Sequence, residues 1–382
     1  MITIIGAGPA GCHTAAKLAT ADEEVRVIEE HAEIGKPVQC TGIVTPSIKE
    51  IVRLPNSCIM NRLRKVRVHA PDGSSAEIKI NDLVIDRTSF DQHIAEIAKR
   101  KGAEFFLGRR LEKINEKTDI QLRLAQNKKT PGKRGAAKRM PSRTLKTDIL
   151  IGADGPGSIV SSHIGNPRPD HWIGVQALVE MNNLPVEKDT YAAYFGKELP
   201  GFFGWVVPED SGHARVGIAA HHSPKKVFDR FMKRFDNLKC KVLEMQGGLI
   251  PKYRPGTYVH RGDCYLVGDA ALQVKATTGG GLVPGMKAAE SLSRSITSGT
   301  RYHHELHKVN KELRTSLILR RVLDRFEDND YNELVKMVRS EKMKQVLAEE
   351  DRDRPTSLLF KTVLKEPKML LFAKVLFRRQ TL

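Results

Sequence analysis

A strand, a glycine-patterned turn and a helix open the chain, and together they leave few folds available. Met1-Ile2-Thr3-Ile4-Ile5 has the character of a buried strand, and Gly6-Ala7-Gly8-Pro9-Ala10-Gly11 follows it directly. In a GxGxxG turn of this kind Gly6 permits the tight bend, Gly8 lets backbone approach a pyrophosphate, and Gly11 lets the helix lie close on the strand. Residues 9–20 continue as a helix whose N-terminus attracts phosphate. Val25-Arg26-Val27-Ile28 is a second strand. Glu29 ends it, 23 residues after Gly6, where its carboxylate can accept hydrogen bonds from a ribose hydroxyl. A lone GxGxxG is weak evidence, and the plainer reading is a glycine-rich turn in an unrelated α/β protein. Strand, helix, strand and acid in register point instead to a dinucleotide site. The motif alone does not separate NAD from FAD.

The chain has 382 residues, more than one simple core holds, so about two domains or one large composite are expected. Hydrophobic residues make up 40%, which excludes a disordered chain. Alternation in residues 63–69 and 77–80 predicts a hairpin around Pro71-Asp72-Gly73, and residues 88–101 read as an amphipathic helix capped by Thr88. Residues 128–146 carry eight basic side chains and no acid, with Pro131, Gly132, Gly135 and Pro141 among them. This is a solubilising loop or hairpin tip on the plain reading, and a headgroup or partner contact on the sharper one. Strand character returns at 147–153, in the stretch 172–260 and at 264–267; residues 285–382 read as helices rich in both charges.

A formal net charge of +18 draws anions, whether nucleic acid, acidic lipid, acidic protein or phosphorylated ligand. The five cysteines are scattered with no CxxC pair, which fits a reducing cytoplasm and neither a zinc ribbon nor a redox pair. No basic leader and no stretch of about 20 apolar residues is present, so neither a signal peptide nor a transmembrane helix is expected. The histidines show no HExxH spacing, and adjacent His221 and His222 on a strand would point to opposite faces, so no metal is expected.

Two later segments narrow the cofactor. Ile151-Gly152-Ala153-Asp154-Gly155-Pro156-Gly157-Ser158 and Leu266-Val267-Gly268-Asp269-Ala270-Ala271 resemble the "DG" and "GD" fingerprints of the para-hydroxybenzoate hydroxylase superfamily of flavoproteins. That resemblance implies FAD, with Asp269 at the ribityl and pyrophosphate region and Asp154 near the pyrophosphate, serving the fold. Ser161 stands where many members carry Arg.

Glu33-Ile34-Gly35-Lys36-Pro37-Val38-Gln39-Cys40-Thr41-Gly42, Phe203-Gly204-Trp205-Val206-Val207-Pro208 and the glycine-rich run from Gly268 to Leu282 are in turn similar to segments of archaeal geranylgeranyl reductases. Thr41 and Ile43 stand where Gly-Glu or Ala-Glu is common, Ala276 replaces a usual Pro, and Leu272 a Gly or polar residue. The family resemblance implies an α/β architecture: a Rossmann-type FAD-binding domain (1–61, 86–165 and 260–300) interleaved with an antiparallel β-sheet substrate domain (62–85 and 166–259), then a C-terminal helical region (301–382). It implies reduction of C=C bonds in isoprenoid chains, in archaea those of membrane phospholipid precursors. The FAD-binding residues it implies are Gly6, Gly8, Ala10, Gly11, Glu29, Cys40, Gly42, Arg87, Leu111, Asp154, Asp269, Gly281 and Leu282.

Cys40 is the candidate for tuning flavin or assisting proton delivery, against the plain reading of a small buried hydrophobe. Phe203, Trp205 and Pro208 are the candidate substrate residues. Phe202, with Tyr191, Tyr194 and Phe195, would extend the wall of an apolar tunnel, although core aromatics would look the same. Arg87 meets FAD phosphate or sits in an ion pair; Lys275 faces a phosphate or flavin, or the solvent. The electron donor stays open among NADPH, a ferredoxin and a deazaflavin, the ferredoxin being an electron-donor protein that would be a partner alongside the polyprenyl lipid.

Two other functions remain open on the same residues. One is a flavin monooxygenase or halogenase, for which Trp205 and Pro208 match a WxWxIP segment only in part. The other is a basic FAD-binding module on nucleic acid, which no RNP, zinc-knuckle or helix-turn-helix pattern supports. The end of the chain alternates Leu358-Leu359-Phe360, Val363-Leu364, Met369–Phe372 and Val375–Phe377 with Lys361, Lys365, Lys368, Lys374, Arg378 and Arg379. Such a basic amphipathic pattern lies on an anionic membrane or packs on the body with its charged face wet. A cytoplasmic location, or a peripheral one on the inner membrane face, follows.

Overall fold

The computed structural model describes residues 1–116, 120–126 and 144–377. Residues 128–143 of the basic run therefore lie outside the described residues. The last part of that run does not belong to a loop: Thr144–Thr147 is a strand. By its contacts the chain forms two units, Met1–Val38 with Arg87–Asp170 and Pro251–Leu313, and Gln39–Asp86 with His171–Ile250 and Arg314–Leu382. These boundaries place residues 39–61 with the second unit, whereas the sequence reading put them with the first. The reason is local. Ile43–Val44 pairs antiparallel with Ser75–Ile85, and Ile59–His69 pairs with the same strand, which draws the whole stretch onto one sheet.

The first unit is built on a six-stranded sheet in the order His260–Arg261, Cys264–Leu266, Ile149–Gly152, Ile2–Ile5, Val25–Ile28, Glu104–Phe106. All neighbours are parallel except the first pair. Parallel strands are covered on both faces, which is why these are near-continuous apolar runs. Ile2, Ile4, Ile5, Val25, Val27 and Ile28 are all buried, each contributing roughly 1.5–3 kcal/mol. The helix Arg87–Arg100 starts one residue before the expected Thr88 cap. Thr88 lies within its first turn, and its hydroxyl donates instead to the Gly35 carbonyl at 3.2 Å. A three-stranded antiparallel sheet, Arg109–Glu116, Ile120–Gln126 and Thr144–Thr147, completes the unit.

The second unit carries an eight-stranded sheet in the order Lys241–Pro251, His171–Glu180, His213–Ala220, Gly204–Pro208, Thr190–Tyr194, Ile59–His69, Ser75–Ile85, Ile43–Val44. The hairpin expected around residues 71–73 is present and longer than its alternation suggested. Gly73 supplies the left-handed turn conformation at φ +84°, and its N–H donates to the Ala70 carbonyl. Buried Val206, Val216, Ile218, Phe228, Phe231 and Phe235 lie at the centre of this unit's core.

Helices Asp328–Val338, Glu341–Glu349 and Pro355–Lys365 follow, then 3-10 turns over Pro367–Phe377. The short segment Asp351–Arg354 fastens this region to its own sheet. Ser47 and Thr45 hydroxyls donate to Asp351 and Asp353, at 2.6 and 2.5 Å. Arg352 donates to Tyr191 Oη at 2.6 Å and pairs with Asp82, while Arg354 pairs with Glu50. Among the described residues no helix is long and apolar enough to cross a membrane.

Candidate functional site

In the first unit the glycine turn is built as a nucleotide cradle. Gly6 takes φ +103°, a conformation that favours glycine, and a side chain there would overlap the Ala153 carbonyl. A Cβ on Gly11 would collide with the Gly6 carbonyl oxygen, so the helix can lie this close only without one. A Cβ on Gly8 would meet nothing within 4 Å, so the backbone faces open space at the position where a pyrophosphate is expected. Helix Pro9–Thr20 begins there with Gly8 at its N-cap and no side-chain cap, which leaves its first N–H groups for a ligand.

Glu29 is held in place before any ligand arrives. One carboxylate oxygen accepts the Ala7 N–H at 2.8 Å; the other accepts the His31 N–H at 2.9 Å and lies 2.6 Å from His31 Nδ1. Burial pushes its pKa up, but the hydrogen bonds from His31 and Ala7 outweigh that and hold it below the usual value. His31 is raised in turn, first by its bond to Glu29. Glu29 is therefore an ionised acceptor, the state a ribose hydroxyl needs.

Asp269 sits in the short 3-10 turn Gly268–Ala271. Burial pushes its pKa up to about 6, and the nearby Arg87 pulls it down only in part. A Cβ on Gly281 would lie 2.8 Å from Asp269 Oδ1, so the carboxylate faces the start of helix Leu282–Ser298. Arg87 makes a bidentate pair with Asp91, both nitrogen-to-oxygen distances being 3.0 Å. Lys275 is 7% exposed, which removes its reading as a surface lysine.

Asp154 serves the fold: Ser158 Oγ donates to it at 2.6 Å and the Ile159 N–H at 2.8 Å, fixing the start of helix Ile159–His163. The Leu111 side chain belongs to the apolar core with Ile5, Leu122 and Leu124. Only its backbone is left for a ligand.

Sequence reasoning missed the small-residue packing behind Asp269. Ala10 Cβ would lie 2.8 Å from a Cβ placed on Gly268 and 3.8 Å from one on Gly285. The turn of the first motif and the turn of the last therefore close on each other through three residues with almost no side chain. It also missed Gln273, whose side chain accepts the Gly268 N–H at 2.7 Å and donates to Tyr302 Oη at 3.4 Å. Tyr302 in turn donates to the Leu266 carbonyl at 3.0 Å.

The second unit holds Cys40, Gly42, Phe203, Trp205 and Pro208. Cys40 is half-buried, and its Sγ accepts the Gly42 N–H at 3.3 Å. Gly42, at φ +83°, has no room for a Cβ, which would collide with the Ile85 carbonyl oxygen, and its own carbonyl accepts the Ile85 N–H at 2.9 Å. Trp205 and the Cys40 loop share one buried amide. Gln176 Oε1 accepts both Thr41 Oγ1 at 2.9 Å and Trp205 Nε1 at 3.3 Å. Gln176 Nε2 donates to Gln246 Oε1 at 2.7 Å, which also accepts Arg215 at 2.8 Å, and Arg215 pairs with Glu209. Gly217 makes room for the indole, since a Cβ there would lie 2.5 Å from the ring.

Phe203 stacks on Phe202 at 4.5 Å and contacts Phe195 at 5.5 Å and Trp205 at 5.9 Å between ring centroids. Tyr191 and Tyr194 do not join this group. Tyr194 stacks on His69 and packs against Phe231 and Phe235, and Tyr191 is held by Arg352. Pro208 ends its strand, and its carbonyl accepts Asn61 Nδ2 at 2.9 Å. His221 and His222 follow the strand rather than lying in it, and their rings are 6.3 Å apart. Among the described residues no group of three His, Cys, Asp or Glu could hold a metal ion.

Comparison with known proteins agrees with this fold. The family described as NAD(P)-binding Rossmann-like domain matches residues 4–52. A digeranylgeranylglycerophospholipid reductase of Methanothrix thermoacetophila is 28% identical, over 89% of this chain and 91% of that one. One from Methanosarcina acetivorans is 27% identical, over 90% of each. Among solved structures, a geranylgeranyl bacteriochlorophyll reductase-like protein of Thermoplasma acidophilum superposes with a TM-score of 0.78 at 21% identity, covering 98% of both chains. A flavin-dependent brominase shares the fold at a TM-score of 0.69 and 14% identity, again over 98% of both.

Proposed function

We propose, from the premise that this chain is a relative of the digeranylgeranylglycerophospholipid reductases along nearly its whole length, that it is an FAD-dependent reductase of geranylgeranyl chains. The substrates are isoprenoid C=C bonds, in particular those of archaeal-type membrane phospholipid precursors. The single observation that carries the reading is this near-full-length kinship. A nucleotide motif alone would match only the start of the chain.

The residues of the first unit fit FAD. Gly8 leaves the space a pyrophosphate needs, Glu29 is an ionised acceptor for the ribose, and Asp269 is a buried carboxyl beside a helix start. When bound and reduced by an external electron donor, FAD would supply a hydride equivalent to one alkene carbon. The protein has the rest to do. An isolated alkene offers no carbonyl to stabilise charge, so positioning and water exclusion must lower the barrier. Phe203, Trp205 and Phe195 offer an apolar surface for a polyprenyl chain. Gln176 holds the Trp205 indole and the Thr41 hydroxyl in fixed orientation, and so limits how the Cys40 loop can move. Cys40 Sγ is the group assigned to deliver or relay the proton to the second alkene carbon.

The test is anaerobic turnover. Purified protein should be yellow. With dithionite as reductant and a geranylgeranylated glycerophospholipid in detergent, mass spectrometry should find two hydrogens gained per bond reduced. Hydroxylated or halogenated product that forms only with oxygen, with no saturation without it, would replace this reading by a monooxygenase or halogenase.

A further inference from the structure

The end of the chain exposes an unusual pair of chemistries. Phe360, Leu364, Leu370, Leu371 and Phe377 are 69%, 67%, 58%, 53% and 89% exposed. Such side chains are normally driven inward, and exposed ones normally stand singly. Here they recur on a helix and on the 3-10 turns that follow it. Phe360 and Leu364 are spaced i, i+4 on helix Pro355–Lys365 and share one face. The segment is not loose: Val375 is 2% exposed and packs with Phe326 and Tyr331, and Phe372 joins them. The buried members pin the turns while their neighbours point to solvent.

What lies between the apolar residues identifies the occupant. From Phe360 to Phe377 every exposed residue is either apolar or a lysine; Lys361 pairs with Glu350, and Lys365, Lys368 and Lys374 supply the charge. From Pro355 to Leu382 the sequence has six basic residues against one acid, Glu366. A protein partner is usually read through oriented hydrogen-bonding groups and aromatic anchors with polar rims. Among the described residues from Phe360 to Phe377 none of the exposed side chains is a hydroxyl, amide, carboxylate or imidazole. A second copy of the chain would bring lysine against lysine. Apolar side chains to enter the acyl boundary, interleaved with long cationic side chains to meet phosphates, match the interface of an anionic bilayer.

We infer that this face docks the protein on the surface of an anionic lipid bilayer, Phe360, Leu364, Leu370, Leu371 and Phe377 entering the headgroup boundary and the lysines meeting lipid phosphates. The docking stands on exposure and charge, independent of the reductase reading. It would bring a lipid-modifying enzyme to the phase where a polyprenyl lipid is dissolved.

Co-sedimentation of the full chain with vesicles tests this. Vesicles of phosphatidylcholine with phosphatidylglycerol should bind the protein at least about tenfold more tightly than phosphatidylcholine alone. Raising salt from about 0.05 to about 0.5 M should release most of it, as the Debye length shrinks. A Leu370→Ser, Leu371→Ser, Phe377→Ser variant should lose binding to both vesicle types. A Lys365→Gln, Lys368→Gln, Lys374→Gln variant should lose only the preference for the anionic ones. These residues are exposed, so both variants should keep their FAD content and their turnover of detergent-dispersed substrate, which keeps this result separate from any failure of the reductase assay. Equal binding to neutral and anionic vesicles, or apolar variants that bind like the parent, would overturn the inference. So would self-association in place of vesicle binding that the same apolar substitutions abolish.

Discussion

The two units carry their chemistry in opposite ways. In the first, the groups proposed to hold a nucleotide come from short runs of sequence, and their positions are set by backbone: Gly6, Gly8 and Gly11 around one turn, Glu29 at the next strand end, Asp269 in a four-residue 3-10 turn. In the second, the groups around Trp205 come from four separate stretches. Thr41, Gln176, Trp205 and Gln246 meet only because sheet pairing and a loop bring them together. A site made of backbone tolerates almost no added atom, whereas a site made of side chains fails by degrees. Substitutions can separate the two.

The largest effect is expected at Gly11. Gly11→Val would drive the first helix off its strand, and the protein should purify colourless, with no flavin absorbance restored by added FAD. If that variant still holds flavin, the claim that backbone closeness sets the first site fails. Gly217→Ala comes next. Its Cβ would lie 2.5 Å from the Trp205 ring and 2.6 Å from Gln176 Cβ, so the indole must move. Turnover should fall by about 10- to 100-fold, the cost of an ångström-scale misplacement, while absorbance spectra show full flavin content. Loss of flavin instead would show that the two regions do not fail independently.

Asp269→Asn gives a pH signature. An aspartate whose folded pKa is about 6, against an ordinary 3.8, costs the fold stability as pH rises through that window. The apo-protein with asparagine should therefore melt higher than the parent above pH 6 and no differently near pH 3. The gain is at most about 3 kcal/mol from the 6 − 3.8 difference in pKa. The same variant should bind FAD more weakly, by titration at pH 8. Gln176→Leu leaves Thr41 and Trp205 without their shared acceptor, a loss of about 1–3 kcal/mol read by denaturant unfolding. An unchanged midpoint would mean the amide holds nothing in place. Cys40→Ala should leave flavin content and melting temperature alone and lower only the rate of alkene saturation, by about 100- to 10,000-fold for a proton donor. Normal turnover would take Cys40 out of the chemistry.

How much was legible in the sequence follows the same division. The strand Ile2–Ile5, the helix Pro9–Thr20 and the place of Glu29 could be read because each depends on neighbours within a few residues. Asp154 as a fold-serving residue could be read too, since its partners Ser158 and Ile159 lie four and five positions on. Gln176 and Gln246 could not, because a buried amide has no local signature and its partners lie far away in sequence, at separations of 135 and 70 residues. Tyr194 was drawn toward the aromatic wall by adjacency, yet side chains alternate along a strand, and it packs on His69 and Phe231 instead. At the chain's end, composition showed an amphipathic stretch. Only the fold reveals that it breaks at Glu366 into a helix and a run of 3-10 turns, with Phe360, Leu364, Leu370, Leu371 and Phe377 left exposed.

The fastening at Asp351–Arg354 has a consequence for how the chain can be handled. Tyr191 is raised to about 12 by burial, and Arg352 lies against both it and Asp82. Cutting the protein anywhere before Glu350 would strip a guanidinium from a carboxylate sunk in a sheet, and at the same stroke free Thr45 and Ser47, a few positions beyond Cys40. The tail is thus a counter-ion supplied from a distance. A proteolytic nick or a shortened gene product that ends before it would loosen strands Ser75–Ile85 and Thr190–Tyr194 of its sheet.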